Sequence, residues 1–142
     1  MSENLQKDKK LVQSVFDTVY DKYDLMNDLM SLGVHRNWKN NMIKMMNPSP
    51  GHNLIDVACG TGDIGKLYSD ATKLKSDVLS VDPNANMIKK SKQRLSNYKN
   101  MKWKISSGER LDIKSNTFDF YTISFGLRNT SNIESTLSEA YR

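Results

Sequence analysis

Leu54-Ile55-Asp56-Val57-Ala58-Cys59-Gly60-Thr61-Gly62-Asp63 is the stretch on which the fold turns. Its first residues are an apolar run interrupted by one acid, the pattern of a parallel strand buried on both faces. A glycine-rich turn follows, and the residues up to Ala71 predict a helix. Glycine serves such a turn because positive φ costs it little and no side chain blocks the approach of a ligand to the backbone. The helix that opens next leaves its first N–H groups without partners inside the helix. Gly60, Gly62 and Gly65 satisfy G-x-G-x-x-G, and Asp82 stands 22 residues beyond Gly60. That spacing puts a carboxylate at the end of a second strand, where it can grip ribose hydroxyls.

Outward from this turn the alternation continues. Val78 to Asp82 reads as the second strand, and residues 84–98 as a helix with Met87, Ser91, Leu95 and Tyr98 on one side. A third strand is expected near 101–106, a fourth near 118–124, and another helix from about Asn132. Strands alternating with helices imply right-handed βαβ crossovers and an α/β, Rossmann-like sheet. Upstream, the period is helical. Leu11/Val12, Val15/Phe16, Val19/Tyr20 and Tyr23 form one stripe, and Leu25, Met26, Leu29, Met30 and Leu32 a second that stops at Gly33. Trp38, Met42, Ile43, Met45 and Met46 mark a third helix from about His35 to Met46. Residues 47–53, with two prolines and a glycine, read as a boundary. The expected organisation is therefore a helical lead and substrate cap over 1–50, then a partial Rossmann-like domain over 51–142.

The chain has 142 residues and one cysteine, so no internal disulfide forms, and a core of this size needs no structural metal. No apolar run reaches the ~20 residues that span a bilayer, and the N-terminus lacks both a secretory h-region and arginines before Arg36. A cytoplasmic protein, peripheral at most to the inner face of the membrane, is the expectation. The net charge of +5 raises nucleic acid or an anionic membrane as partners. Ten of the cations (Lys66, Lys73, Lys75, Lys89, Lys90, Lys92, Arg94, Lys99, Lys102 and Lys104) stand against three acids, Asp70, Asp77 and Asp82, in one stretch. Aromatic residues are sparse among them, so a solvated, lysine-rich face is favoured over a base-reading surface.

Two cofactor classes compete for the turn. A dinucleotide would bring a pyrophosphate to the helix N-terminus, where Asp56 and Asp63 would repel it. S-adenosylmethionine carries a sulfonium and an amino group instead, and acids near the turn suit it. Asp56, placed at the strand end, is counted with the cofactor residues on this ground.

At this point the chain resembles a known family. Asp56-Val57-Ala58-Cys59-Gly60-Thr61-Gly62 is similar to the first motif of class I S-adenosylmethionine-dependent methyltransferases, with Ala58 where many members have glycine. Three further blocks are more specific: residues 23–31 (Tyr-Asp-Leu-Met-Asn-Asp-Leu-Met-Ser), 33–36 (Gly-Val-His-Arg) and 123–129 (Ile-Ser-Phe-Gly-Leu-Arg-Asn). Together they resemble the ubiquinone/menaquinone biosynthesis C-methyltransferases from about Val15 to Arg142. The resemblance implies that Gly60, Thr61, Gly62 and Asp82 hold the cofactor, that Ser107 and Gly108 border its adenine, and that Ser124 contacts it. Ser107 departs from the acidic or amide residue usual there, and a hydroxyl binds an adenine amino group more weakly than a carboxylate does.

The implied reaction methylates a ring carbon of a lipid-tailed benzoquinol or naphthoquinol. Such a carbon is nucleophilic enough only as a ring hydroxyl loses its proton, so the site needs a proton acceptor or a cation for the oxyanion. By resemblance, Arg128, Asn129 and Tyr23 activate that hydroxyl. Arg128 fits electrostatic stabilisation, because a guanidinium is a poor base. His35 is an alternative acceptor, Cys59 a small residue at a tight turn, and the Met/Leu stripe from Leu25 to Met46 a core surface or a greasy cover for the isoprenoid tail. No metal is expected. A homodimer or a quinone-biosynthesis complex stays open as a partner.

Two other classes compete: a nucleic-acid-binding or RNA-modifying methyltransferase, raised by the basic stretch, and a non-catalytic cofactor-binding fragment. Against the first, residues 124–128 lack the Asn/Asp-Pro-Pro-aromatic tetrad of amino-methylating enzymes, and no second cysteine serves a covalent pyrimidine mechanism. The second follows from length, since the family's sheet has seven strands and about four are written here. The expected consequence is an exposed fourth-strand edge and marginal stability.

Overall fold

The computed structural model describes residues 33–142. The lead helices expected over residues 11–32 lie outside them, as does Tyr23. The chain divides into two compact units, Met1–Trp38 and Lys39–Arg142. Four helices, α1 (Val34–Met46), α2 (Asp63–Ala71), α3 (Ala85–Arg94) and α4 (Ile133–Tyr141), accompany four strands, β1 (Leu54–Val57), β2 (Val78–Asp82), β3 (Met101–Ile105) and β4 (Phe120–Ile123). The sheet is parallel throughout in the order β3-β2-β1-β4. The chain steps from β1 to β2 to β3 in one direction and then returns to the other flank of β1. That reversal is a topological switch point, and it opens a crevice at the carboxyl ends of β1 and β4.

The apolar run at Leu54 behaves as its composition demands, with all four residues of β1 buried. One face of the sheet gives Leu54, Val78 and Met101 to a core with Ile43, Ile64, Tyr68 and Leu95. The other collects Ile55, Val57, Val81 and Leu111, with Leu79, Phe118, Tyr121 and Ile123 packed around them. Each such apolar side chain taken from water contributes roughly 1.5–3 kcal/mol. Tyr68 is wholly buried, and its hydroxyl donates to the His52 carbonyl at 2.8 Å, so its burial leaves no polar atom stranded.

Two boundaries differ from expectation. The helix read as 84–98 ends at Arg94, with Asn84 as its N-cap, accepting from the Asn86 and Met87 amides. Leu95 stays buried as the C-cap while the chain turns away toward β3, so the apolar side continues beyond the helix that suggested it. The fourth strand is shorter than 118–124. Asp119 instead accepts the Asn53 N–H at 2.7 Å and locks the entries of β1 and β4 together. β4 forms one edge of the described sheet.

Two glycines are set by packing. A Cβ on Gly65 would meet the Met101 methyl at 2.7 Å and Ser80 and Val78 at 3.2 Å, so α2 can lie this close to β2 and β3 only with glycine there. A Cβ on Gly126, beyond β4, would collide with the Cβ of Ala58, beyond β1. Ala58 itself has φ +53, a left-handed conformation costing a non-glycine residue roughly 1 kcal/mol. Gly126→Ala should therefore lower stability by about 1–3 kcal/mol through overpacking, and adding Ala58→Gly should recover most of that loss. Chemical denaturation of both singles and the double tests this. Strictly additive effects would mean that the two turns do not meet as described.

Candidate functional site

The turn after β1 is held by its own backbone and by β2. The Gly62 N–H donates to the Cys59 carbonyl at 2.9 Å, and the Cys59 N–H to the Val81 carbonyl at 3.0 Å. Asp82, the last residue of β2, accepts the Gly60 N–H on Oδ2 at 2.9 Å and the Asn84 N–H on Oδ1, also at 2.9 Å. One carboxylate thus braces the glycine turn and the approach to α3, and each oxygen keeps a further lone pair for a ligand hydroxyl. Burial pushes the Asp82 carboxyl above its ordinary range, and the two backbone donors pull it back. Gly60 has φ +54 and a Cβ there would meet nothing within 4 Å, so the turn has open space above it. Gly62 has φ +89 and no such room: a Cβ would lie 2.5 Å from the Ser91 hydroxyl of α3 and 2.7 Å from Leu95, its C-cap.

Thr61 and Asp63 are tied down by Arg94, one of the cations that the sequence pattern left on the solvated face, and Asp63 also by Lys39. Arg94, at the end of α3, donates to the Thr61 carbonyl at 3.2 Å, to its hydroxyl at 3.1 Å and to Asp63. Lys39 of α1 reaches the other Asp63 oxygen at 2.8 Å. Burial works to raise the Asp63 carboxyl, but the bonds and charges of Lys39 and Arg94 win and hold it below the usual range. An acid at the first position of α2 also complements the helix dipole. The sequence signal for Arg94 was only its place in the run of cations after the turn, read there as a solvated face, and Lys39 carried none.

Asp56 is not at the strand mouth where its spacing put it. It is the third residue of β1 and 1% exposed, because strand alternation points it into the helix-covered face. Thr122, its register partner on β4, donates to Oδ1 at 2.8 Å. Oδ2 is buried and has no hydrogen-bond partner among the described residues. Burial pushes this carboxyl up to about 7; the Thr122 bond and the charge of Lys39 oppose the rise, and Asp82 and Asp63 add to it. Thr122 was missed by the sequence reading, since a threonine inside a strand carries no motif. Cys59 is buried and its thiol is pushed upward by that burial, which keeps it protonated and unreactive.

The remaining residues line the same edge of the sheet. Ser107 is exposed in the loop after β3, and Gly108 is buried against Val57 and Thr136 at 3.1 and 3.2 Å from where a Cβ would sit. Ser124 is half-buried just past β4. Arg128 and Asn129 are exposed on a 3-10 turn, Leu127–Asn129, that starts immediately after Gly126. The structure therefore brings Gly60, Thr61, Gly62, Asp82, Ser107, Gly108, Ser124, Arg128 and Asn129 to the carboxyl ends of the strands, with Asp56 one step inside.

Comparison with known proteins agrees with this geometry. The ubiE/COQ5 methyltransferase family matches residues 3–142. The ubiquinone/menaquinone biosynthesis C-methyltransferase UbiE of Rickettsia bellii is 43% identical over 140 residues, covering 94% of this chain and 56% of the relative. The mitochondrial 2-methoxy-6-polyprenyl-1,4-benzoquinol methylase of Dictyostelium discoideum is 38% identical over 170 residues, covering 98% of this chain and 54% of the relative. The chain thus spans about half the length of the curated relatives it matches. Among solved structures, a SAM-dependent methyltransferase from Aquifex aeolicus superposes with a TM-score of 0.67 at 22% identity, over 73% of this chain and 56% of that one. A methyltransferase from Methanococcus maripaludis gives 0.72 at 12% identity, over 87% and 56%. At such identities the likeness shows the class I methyltransferase fold.

The buried acid sets a pH dependence. Asp56 has a folded value of about 7 against an ordinary value of 3.8, so its contribution to stability is fully present below about pH 4 and lost as pH rises through 7. Asp56→Asn keeps an acceptor for Thr122 and cannot ionise. Its melting temperature relative to wild type should therefore climb between those two values and level off above them, as read by thermal melts across the range. A difference that stays flat with pH would show that Asp56 ionises freely.

Proposed function

The chain belongs to the ubiE/COQ5 methyltransferase family, and we propose that it binds S-adenosylmethionine at the carboxyl edge of its sheet in the service of quinol C-methylation. The observation that carries the reading is the Asp82-braced glycine turn with open space above Gly60. The unpartnered Oδ2 of Asp56 adds to it, because a buried carboxylate oxygen lacking a donor is satisfied by a cationic ligand better than by a phosphate. The donor set fits the group. Gly60 lets it approach the backbone of the turn that Thr61 and Gly62 complete, Asp82 accepts from ribose hydroxyls, and Ser107 with Gly108 borders the adenine. Ser124 lies between these residues and the substrate side, and Asp56 favours the positive end.

The cofactor supplies an electrophilic methyl group on a sulfonium. The substrate class is a polyprenyl benzoquinol or naphthoquinol, as the relatives' names suggest. Arg128 and Asn129, exposed beyond β4, hold the ring hydroxyl, and the guanidinium stabilises the oxyanion left when that hydroxyl gives up its proton. Because a guanidinium stays protonated, the proton leaves to water. No helix among the described residues is long and apolar enough to cross a membrane. Instead, the exposed lysines at 73, 75, 89, 92, 99 and 102 give a weak attraction to the anionic surface where a lipid-tailed substrate resides.

Calorimetric titration of S-adenosylmethionine and S-adenosylhomocysteine into the chain tests the cofactor assignment. Both should bind, and Asp82→Ala should weaken each by about tenfold or more, the scale of losing hydrogen bonds to a charged group. Indistinguishable heats for wild type and variant would remove the assignment. Affinity for the cationic cofactor should also rise as pH passes through about 7, where Asp56 ionises. That rise should vanish in Asp56→Asn.

A further inference from the structure

Glu109 is used by neither the glycine turn nor the sheet, yet it joins two parts of the edge that are separate in sequence. One of its oxygens, Oε1, accepts the Ser131 N–H at 2.6 Å and the Asn132 N–H at 3.4 Å. Ser131 follows the Leu127–Asn129 turn by two residues, and that turn is closed by the Thr130 hydroxyl donating to the Leu127 carbonyl at 2.8 Å. Ser107 stands two residues before Glu109 in the same loop, and its carbonyl accepts the Arg110 N–H at 3.4 Å. Partial burial works against its ionisation, but the donors prevail and hold the carboxyl below its usual range.

The loop that carries Glu109 is also fixed to α4 at other points. The Leu111 N–H donates to Glu139 of α4 at 2.8 Å, and Gly108 sits where a side chain would press on Thr136 of the same helix. The loop after β3 and the segment after β4 are thus stitched into one body. Ser107 lies two residues before Glu109 and Arg128 three before Ser131, so the Glu109 carboxylate ties together the two segments that carry them.

On the reading above, in which Ser107 borders the adenine and Arg128 faces the quinol, we infer that Glu109 is a positioning residue coupling occupation of the adenine subsite to the placement of the Arg128–Asn129 turn. An adenine that engages Ser107 restrains the loop two residues before Glu109 and so fixes where its carboxylate sits. The carboxylate then holds the Ser131 and Asn132 amides more tightly, and the turn they anchor is ordered. Substrate-side preorganisation would follow cofactor binding, which keeps the arginine from being set before the methyl donor is present.

The test is amide hydrogen exchange of the full chain with and without S-adenosylmethionine, read over residues 126–132, beside calorimetric affinity for the cofactor. In wild type the cofactor should slow exchange there by about fivefold or more, the lower end of typical site-to-site coupling. Two conservative variants separate reach from charge. Glu109→Gln keeps an oxygen acceptor at the same distance and should retain the protection. Glu109→Asp keeps the charge but is one methylene shorter, and should lose it while binding the cofactor within about threefold of wild type. Protection retained in Glu109→Asp, lost in Glu109→Gln, or absent from a wild type that does bind the cofactor would overturn the coupling and leave the cofactor assignment standing. A wild type that binds no cofactor would sink both.

Discussion

The bond from the Gly60 N–H to the Asp82 carboxylate is the interaction on which the functional edge of this protein depends. It joins the end of β2 to the turn after β1, and the second oxygen of the same acid holds the Asn84 N–H at the approach to α3. Without it the turn would have to satisfy a half-buried amide by other means, and α3 would lose its fixed distance from α2. Everything near the turn is close-packed around that geometry. Gly62 leaves no space against Ser91 and Leu95, and Gly65 little against Met101, Ser80 and Val78, whereas Gly60 faces open volume. At this turn a ligand therefore meets backbone at Gly60.

The charges around this turn are divided unevenly, and the division is what gives the edge its chemical preference. Asp56, Asp63 and Asp82 gather near the ends of β1 and β2. Arg94 and Lys39 both go to Asp63, whose carboxyl is accordingly held low. Asp56 and Asp82 are instead raised by burial. The region is short of positive charge where it is most buried, while many lysines of the same stretch stand in solvent. A basic chain can thus hold acids at its buried edge, because Coulomb interactions between its exposed lysines and those deeper groups weaken sharply in water.

The sequence was most legible where a local rule and a tertiary demand coincide. The strand at Leu54, the glycine turn, Asp82 and the helix start near Asn84 all stand where spacing put them, because each is dictated by backbone conformation over a few residues. Residues whose meaning comes from a distant partner were not legible in that way. Arg94 read as one more surface cation, since nothing in its neighbours says that it will reach 31 residues back to Asp63. Thr122 carried no signal at all: its partner, Asp56, lies 66 residues away. Asp56 was found for its chemistry but misplaced by one step, because a short buried strand does not announce which of its residues is the last to be covered.

By itself, then, the sequence determined the alternation of strands and helices, the glycine turn, the acid that faces it, and the family to which these motifs belong. Those follow from φ preferences, apolar runs and fixed spacings, all of which act over short distances along the chain. Only the tertiary structure decided that β4 returns beside β1 and opens the crevice. It also decided that Asp56 is buried within β1 with one oxygen unmet, that Asp63 is neutralised from two helices, and that Glu109 bridges two loops. Each of these is a contact between segments remote in sequence. Its energy depends on burial and on the partner's position, and neither quantity exists until the chain has folded.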